Sequence, residues 1–200
     1  AALARALEVT TDYLVDGCTS APVMLTHQAL VYGSDEEFAN AVGSLLAQSL
    51  ELGERTMLVT SDANVELVRE FLGKDSRRID CVSAADLYSE PDEALTTYQG
   101  FVQRALGGGA HWALIVGEPS WDGRSAAQAR RWCRYESFLN LAFAALPVTV
   151  VCAYDERRVK PSILRQARET HPETLMEGTV VTNDDYVQPG GYVLGGSARH

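Results

Sequence analysis

Short, unbroken apolar runs separated by long amphipathic stretches constrain this chain most. The runs fall at 29–32, 56–60, 79–82, 112–116, 148–152 and, more weakly, 179–181. Most are continuous rather than alternating. A strand covered on one face alternates apolar and polar residues, whereas a strand covered on both reads as one apolar block, as in parallel sheets. The intervening stretches carry helical spacing. Ser34-Asp35-Glu36-Glu37 forms a capping box, with Ser34 accepting from a first-turn amide and Glu37 reaching back. Phe38, Val42, Leu45, Leu46 and Ser49 then share a face, and Gly53 suits the stop. A second helix carries Val65, Val68, Phe71 and Leu72 and ends at Gly73. A third runs from near Ser89 into Gly107-Gly108-Gly109. A fourth spans about 125–146, with Trp132, Tyr135, Leu139, Ala142, Phe143 and Leu146 inward. A fifth starts at Pro161 and stops before Pro172.

Strand–helix alternation of this kind predicts an α/β fold, a three-layer, doubly wound, mostly parallel sheet. Ligands in such sheets sit at the carboxyl ends of the strands, where strand order reverses. Four loops qualify: Tyr32-Gly33-Ser34-Asp35, Thr60-Ser61-Asp62, Gly117-Glu118-Pro119-Ser120-Trp121 and Ala153-Tyr154-Asp155.

The first loop excludes an ordinary nucleotide site. A phosphate cradle needs several glycines and a lysine at a helix N-terminus. Here Asp35, Glu36 and Glu37 put negative charge there instead. Gly107-Gly108-Gly109 precedes a strand, at the wrong end of the sheet. Lys+Arg number 17 and Asp+Glu 27, for a formal charge of −10. Such a surface repels phosphate backbones and anionic membranes. No apolar run reaches bilayer length, and residues 1–7 lack a signal-peptide pattern. Cys18, Cys81, Cys133 and Cys152 are scattered, which points to a reducing, cytoplasmic setting. The 200 residues suit one main domain.

The sequence carries no recognisable catalytic signature. Glu118 ends an apolar strand beside Trp121, as a polar anchor or base in a pocket or as a carboxylate holding its loop. Glu136 and Asn140 lie four apart on the long helix, projecting into the pocket or making a structural hydrogen bond. Asp155 beside Arg157 and Arg158 reads as a salt-bridged loop. Cys152 sits within a strand as a small core residue. His27, His111, His171 and His200 show no zinc spacing, and neither a metal nor a cofactor is expected.

His27-Gln28-Ala29-Leu30-Val31-Tyr32 followed by Ser34-Asp35-Glu36-Glu37-Phe38 resembles the opening of the MEDS domain, the sensory domain of methanogen and methylotroph regulators. Gly53-Glu54-Arg55, Gly117-Glu118-Pro119-Ser120-Trp121, Tyr135-Glu136 with Asn140, Cys152-Ala153-Tyr154-Asp155 and Thr170-His171-Pro172 continue the resemblance, which ends near Asn183, Asp185 and Tyr186. It implies a RecA-like fold without a phosphate-binding loop and a role in sensing small molecules. It also implies partner domains: a DNA-binding helix-turn-helix, or an ATPase domain in anti-sigma factors. Residues 1–17 are similar to the tail of a phage-repressor-type helix-turn-helix domain, with 18–26 as linker and 27–200 as the sensory domain.

The resulting expectation is a non-catalytic, small-molecule-sensing regulatory domain of a bacterial transcription regulator. It would be a homodimer and would reach DNA only through a domain outside this chain. The ligand-binding residues would be Tyr32, Glu118, Trp121, Glu136, Asn140 and Tyr154. The alternatives are a protein-interaction module of anti-sigma type and a degenerate RecA-like nucleotide-binding enzyme with Glu118 as base.

Overall fold

The computed structural model describes residues 24–176 and 178–195. The expected helical segment 1–17 and most of the linker 18–26 lie outside the described residues. Seven strands form one sheet: β1 Thr26–Tyr32, β2 Arg55–Thr60, β3 Asp80–Ser83, β4 Ala113–Gly117, β5 Val148–Asp155, β6 Glu173–Met176 and β7 Thr179–Thr182. Their spatial order is β3-β2-β4-β5-β1-β6-β7. Every neighbouring pair is parallel except β6 and β7, an antiparallel hairpin. The helices are α1 Asp35–Glu51, α2 Asp62–Leu72, α3 Ala84–Leu87, α4 Pro91–Gly107, α5 Ala126–Ala142, α6 Pro161–Thr170 and α7 Pro189–Gly195.

Two cores explain the continuous apolar strands. Leu58, Leu114, Val116, Val151 and Ala153 pack against Phe38, Val42 and Leu46 of α1 and Val65 and Val68 of α2. Their sequence neighbours Met57, Val59, Ile115, Val150 and Cys152 face the opposite side, against Tyr98, Phe101 and Val102 of α4, Trp132 and Leu139 of α5, and Ile163 and Ala167 of α6. Successive strand residues point to opposite faces, so both must be apolar when both faces are covered. Handedness sorts the helices. From β1 to β2 to β3 the chain moves one way across the sheet through α1 and α2, and from β3 onward it moves back. Right-handed crossovers in opposite directions place their helices on opposite faces.

The expected elements recur with small shifts. Ser34 caps α1 by accepting from the Glu37 amide, and Ser125 and Gln128 form a capping box at α5. Gly53 and Gly73 terminate their helices at φ 75° and 55°, where a side chain would be strained. Helix α5 stops at Ala142 rather than about 146, with Phe143 as its cap. The weak run at 179–181 is the antiparallel partner of β6, an unexpected strand. The β6 segment Glu173-Thr174-Leu175-Met176 buries only Leu175, so it carries little apolar signal. No helix among the described residues is long and apolar enough to cross a membrane.

Candidate functional site

Adjacent strands β1 and β5 send their chains to helices on opposite faces, α1 and α6, and so do β2 and β4, to α2 and to α4's neighbour α5. Crevices open at the carboxyl ends where this happens. A cleft of about 430 Å³ lies there. It is lined from β1 by Tyr32 and Asp35, from β2 by Ser61 and Asn64, from β4 by Glu118 to Asp122, and from β5 by Asp155, Arg157 and Arg158. All four loops singled out in the sequence contribute to it.

Glu118 ties three of these loops together. Its backbone amide donates to the Val59 carbonyl at 2.8 Å, extending the β2–β4 ladder. Its carboxylate accepts from the Tyr32 phenol and the Thr60 hydroxyl, and from Asn64 Nδ2 at 2.8 Å. Asn64 is placed by the cap of α2, where its amide donates to Ser61 Oγ at 3.3 Å. Burial, then the Glu118 carboxylate, pushes the Tyr32 phenol well up, so it remains a donor. The reading of Glu118 as the residue holding its loop therefore describes its contacts.

The other charges lining the cleft are paired as well. Asp155 accepts from Arg157 through Nε and Nη2, both at 2.8 Å, and Arg157 Nη2 also reaches Asp35 at 2.7 Å. The Arg157 hydrogen bonds hold the Asp155 carboxyl below its ordinary value. The Arg158 guanidinium binds Asp122 at 2.5 Å, while its backbone amide donates to the Asp155 carbonyl at 3.0 Å. At the start of α1, Glu37 Oε2 accepts from the Gly33 amide at 2.6 Å, one residue earlier than a standard capping box. The Gly33 amide, which would face a phosphate in a nucleotide-binding loop, thus faces a carboxylate of the same chain.

Of the six expected ligand-binding residues, Tyr32, Glu118 and Trp121 line the cleft. Trp121 stacks on Tyr154 with ring centroids 6.1 Å apart, and its buried Nε1 has no partner. Tyr154, Glu136 and Asn140 lie outside the lining. Ala153 and Asp155 face the cleft, so Tyr154 between them points to the α5–α6 side, where its phenol donates to Glu136. Burial raises the Glu136 carboxyl to about 8, against which the Tyr154 hydrogen bond acts, so it is mostly protonated at neutral pH. Asn140 sits deeper, bonded to His27 Nδ1 at 3.0 Å and to the Thr170 carbonyl at 2.9 Å. Helix α5 starts near the cleft and descends, and Glu136 comes roughly 15 Å along it at 1.5 Å per residue.

Sequence reasoning missed Thr60 and Asn64, although the loop between them was marked. It also missed a cluster behind the cleft. His27, Cys152 and His171, all buried, bring their donor atoms within 4.8 Å of one another. Residues this far apart in the chain carry no spacing signature.

The fold and cleft define a class: a doubly wound α/β domain with a ligand-type crevice whose first loop is closed to phosphate by its own acid. Within that class the chain belongs to the MEDS family. The family model, described as "MEthanogen/methylotroph, DcmR Sensory domain", matches residues 26–172. Its sensory character is thereby that of a regulatory domain. Among solved structures the chain is similar to "The cytoplasmic domain of EssC", at 13% identity and a TM-score of 0.40, covering 84% of this chain. The match spans 37% of that protein's chain. Nothing among the curated proteins matches.

Proposed function

We propose that this domain senses a small, uncharged molecule for a transcription regulator and carries out no catalysis. The observation behind this reading is the state of the cleft's polar groups. All four lining carboxylates, Asp35, Glu118, Asp122 and Asp155, are engaged by donors of the same chain. None is left free as a general base. The Trp121 indole, by contrast, offers a buried N–H without an acceptor beside the apolar walls of Leu67, Pro119 and Val159. A ligand with an apolar body and one hydrogen-bond acceptor matches that offer. Binding would bias the pose of the segment leading to a DNA-binding domain, in a cytoplasmic homodimer.

Calorimetry and tryptophan fluorescence against a panel of small uncharged metabolites test this. The expected result is saturable binding that Trp121→Ala weakens at least tenfold, with no response to ATP. Tight ATP binding with hydrolysis would replace this reading by the enzymatic one. A second reading, a protein-interaction module, is favoured by the edge strand β7, all four residues of which are exposed, including Val180 and Val181. Loss of every small-molecule response together with association that Val180→Lys abolishes, read by light scattering, would favour this second reading over the first.

A further inference from the structure

The cluster behind the cleft is built from three elements. His27 lies in β1, Cys152 in the adjacent β5, and His171 caps α6. His27 and His171 are 1% and 0% exposed, and their ring centroids are 4.1 Å apart.

The surrounding hydrogen bonds decide which ring nitrogens carry protons. Asn140 Nδ2 donates to the Thr170 carbonyl at 2.9 Å and the Ser137 carbonyl at 3.3 Å. Its Oδ1 is therefore the atom 3.0 Å from His27 Nδ1, which must donate. His27 Nε2 is left with a lone pair, 3.6 Å from Cys152 Sγ. On His171, Nδ1 lies 2.7 Å from the Ala167 carbonyl, which can only accept. His171 Nε2 then also bears a lone pair, and this fully buried atom has no partner. Protonation does not relieve it. Burial holds His171 down to about 4, and burial together with His171 holds His27 well below its ordinary value.

We propose that His27 Nε2, His171 Nε2 and Cys152 Sγ bind one borderline-soft transition-metal ion, of the Zn²⁺ or Cu⁺ class. Imidazole and thiolate are the donors such ions select. Metal bonds of about 2.0 Å to nitrogen and 2.3 Å to sulfur imply donor–donor edges of about 3.5 Å. The His27–Cys152 edge, at 3.6 Å, already meets that, and one donor atom from each of the three residues lies within 4.8 Å of the others, so closure on an ion needs only a small adjustment. Histidine ligands commonly donate their second N–H to a carbonyl or amide oxygen, which fixes ring and tautomer. Asn140 and Ala167 supply those acceptors here. The thiol, pushed up by burial and Glu136 in the metal-free protein, releases its proton to solvent as the metal–sulfur bond forms. Three protein donors close a trigonal Cu⁺ site and leave a fourth position open on Zn²⁺. The site stands apart from the proposed cleft ligand, although Tyr154, edge-on to His171 and stacked on Trp121, lies between the two.

The test uses the whole chain, stripped with a chelator and titrated with Zn²⁺, with Cu⁺ under a reductant, and with Co²⁺ as a spectroscopic probe. The expected result is one ion per chain, a raised melting temperature, and a thiolate-to-cobalt charge-transfer band. Cys152→Ser should abolish the band and weaken binding at least 100-fold, and Asn140→Ala should weaken it about tenfold or more. Preference for Cu⁺ over Zn²⁺ identifies a trigonal centre, and the reverse a tetrahedral one with an added ligand. No stoichiometric ion, or ion binding that survives Cys152→Ser with no thiolate band in the parent, overturns the proposal. The parent's band decides the matter even if a histidine variant fails to fold.

Discussion

Truncating Glu118 to alanine removes the acceptor on which Tyr32, Thr60 and Asn64 converge. Their fates differ. Thr60 is fully buried and finds no water, whereas the Tyr32 phenol lines the cleft and keeps a contact to Asn64. Asn64 lines the cleft and can turn to solvent. A buried donor stripped of its partner costs about 1–3 kcal/mol. Thr60 in full and the cleft-facing Tyr32 in part predict a loss of about 3 kcal/mol for Glu118→Ala. Glu118→Gln keeps the shape and one accepting oxygen but turns an N–H₂ toward the remaining donors, which predicts a loss of about 1 kcal/mol. Against a typical stability of about 5–15 kcal/mol these are large and well separated. Urea unfolding measures them, with the slope expected to stay constant because the buried surface does not change. A loss below about 1 kcal/mol for Glu118→Ala would refute the reasoning, since the carboxylate would then not be the tie between the loops.

Two further outcomes follow from buried groups. Glu136 sits at about 8 when folded and near 4.5 when unfolded, so between those values the unfolded chain gives up its proton first. Stability should fall as pH rises through that window and stay low above it, by about 5 kcal/mol in all at about 1.36 kcal/mol per pH unit. Glu136→Gln, measured with a chelator present, should flatten that slope, and an unchanged slope would place the titration elsewhere. Gly117 ends β4 beneath the hydroxyls of Tyr88 and Tyr98, which bond to each other and would meet any added Cβ. Gly117→Ala should cost about 2–3 kcal/mol from overpacking, and a melting temperature equal to the parent's would show that the tyrosine pair can move aside.

Strands β1, β2, β4 and β5 were legible because each serves two cores: Met57 and Leu58 are neighbours in sequence and answer to opposite helices. The cleft was legible because it follows from topology, and Tyr32, Glu118 and Trp121 sit at strand ends. Strand β6 was not legible, since an edge position buries too little of it to shape its composition. Glu136 and Asn140 were placed on the inner face of α5 correctly by spacing, but periodicity gives an angle around a helix and not a depth along a sheet. The triad of His27, Cys152 and His171 lay beyond reach for a related reason: the pairing of β1 with β5 and the packing of the end of α6, not proximity in the chain, bring it together.

The carboxylate of Glu37 on the Gly33 amide has a consequence for what can enter the crevice. A tethered acid occupies its seat at an effective concentration on the order of millimolar, against which a dissolved anion must compete. A dissolved phosphate would have to displace it before touching that amide, so this loop is a poorer anion seat than a bare helix N-terminus.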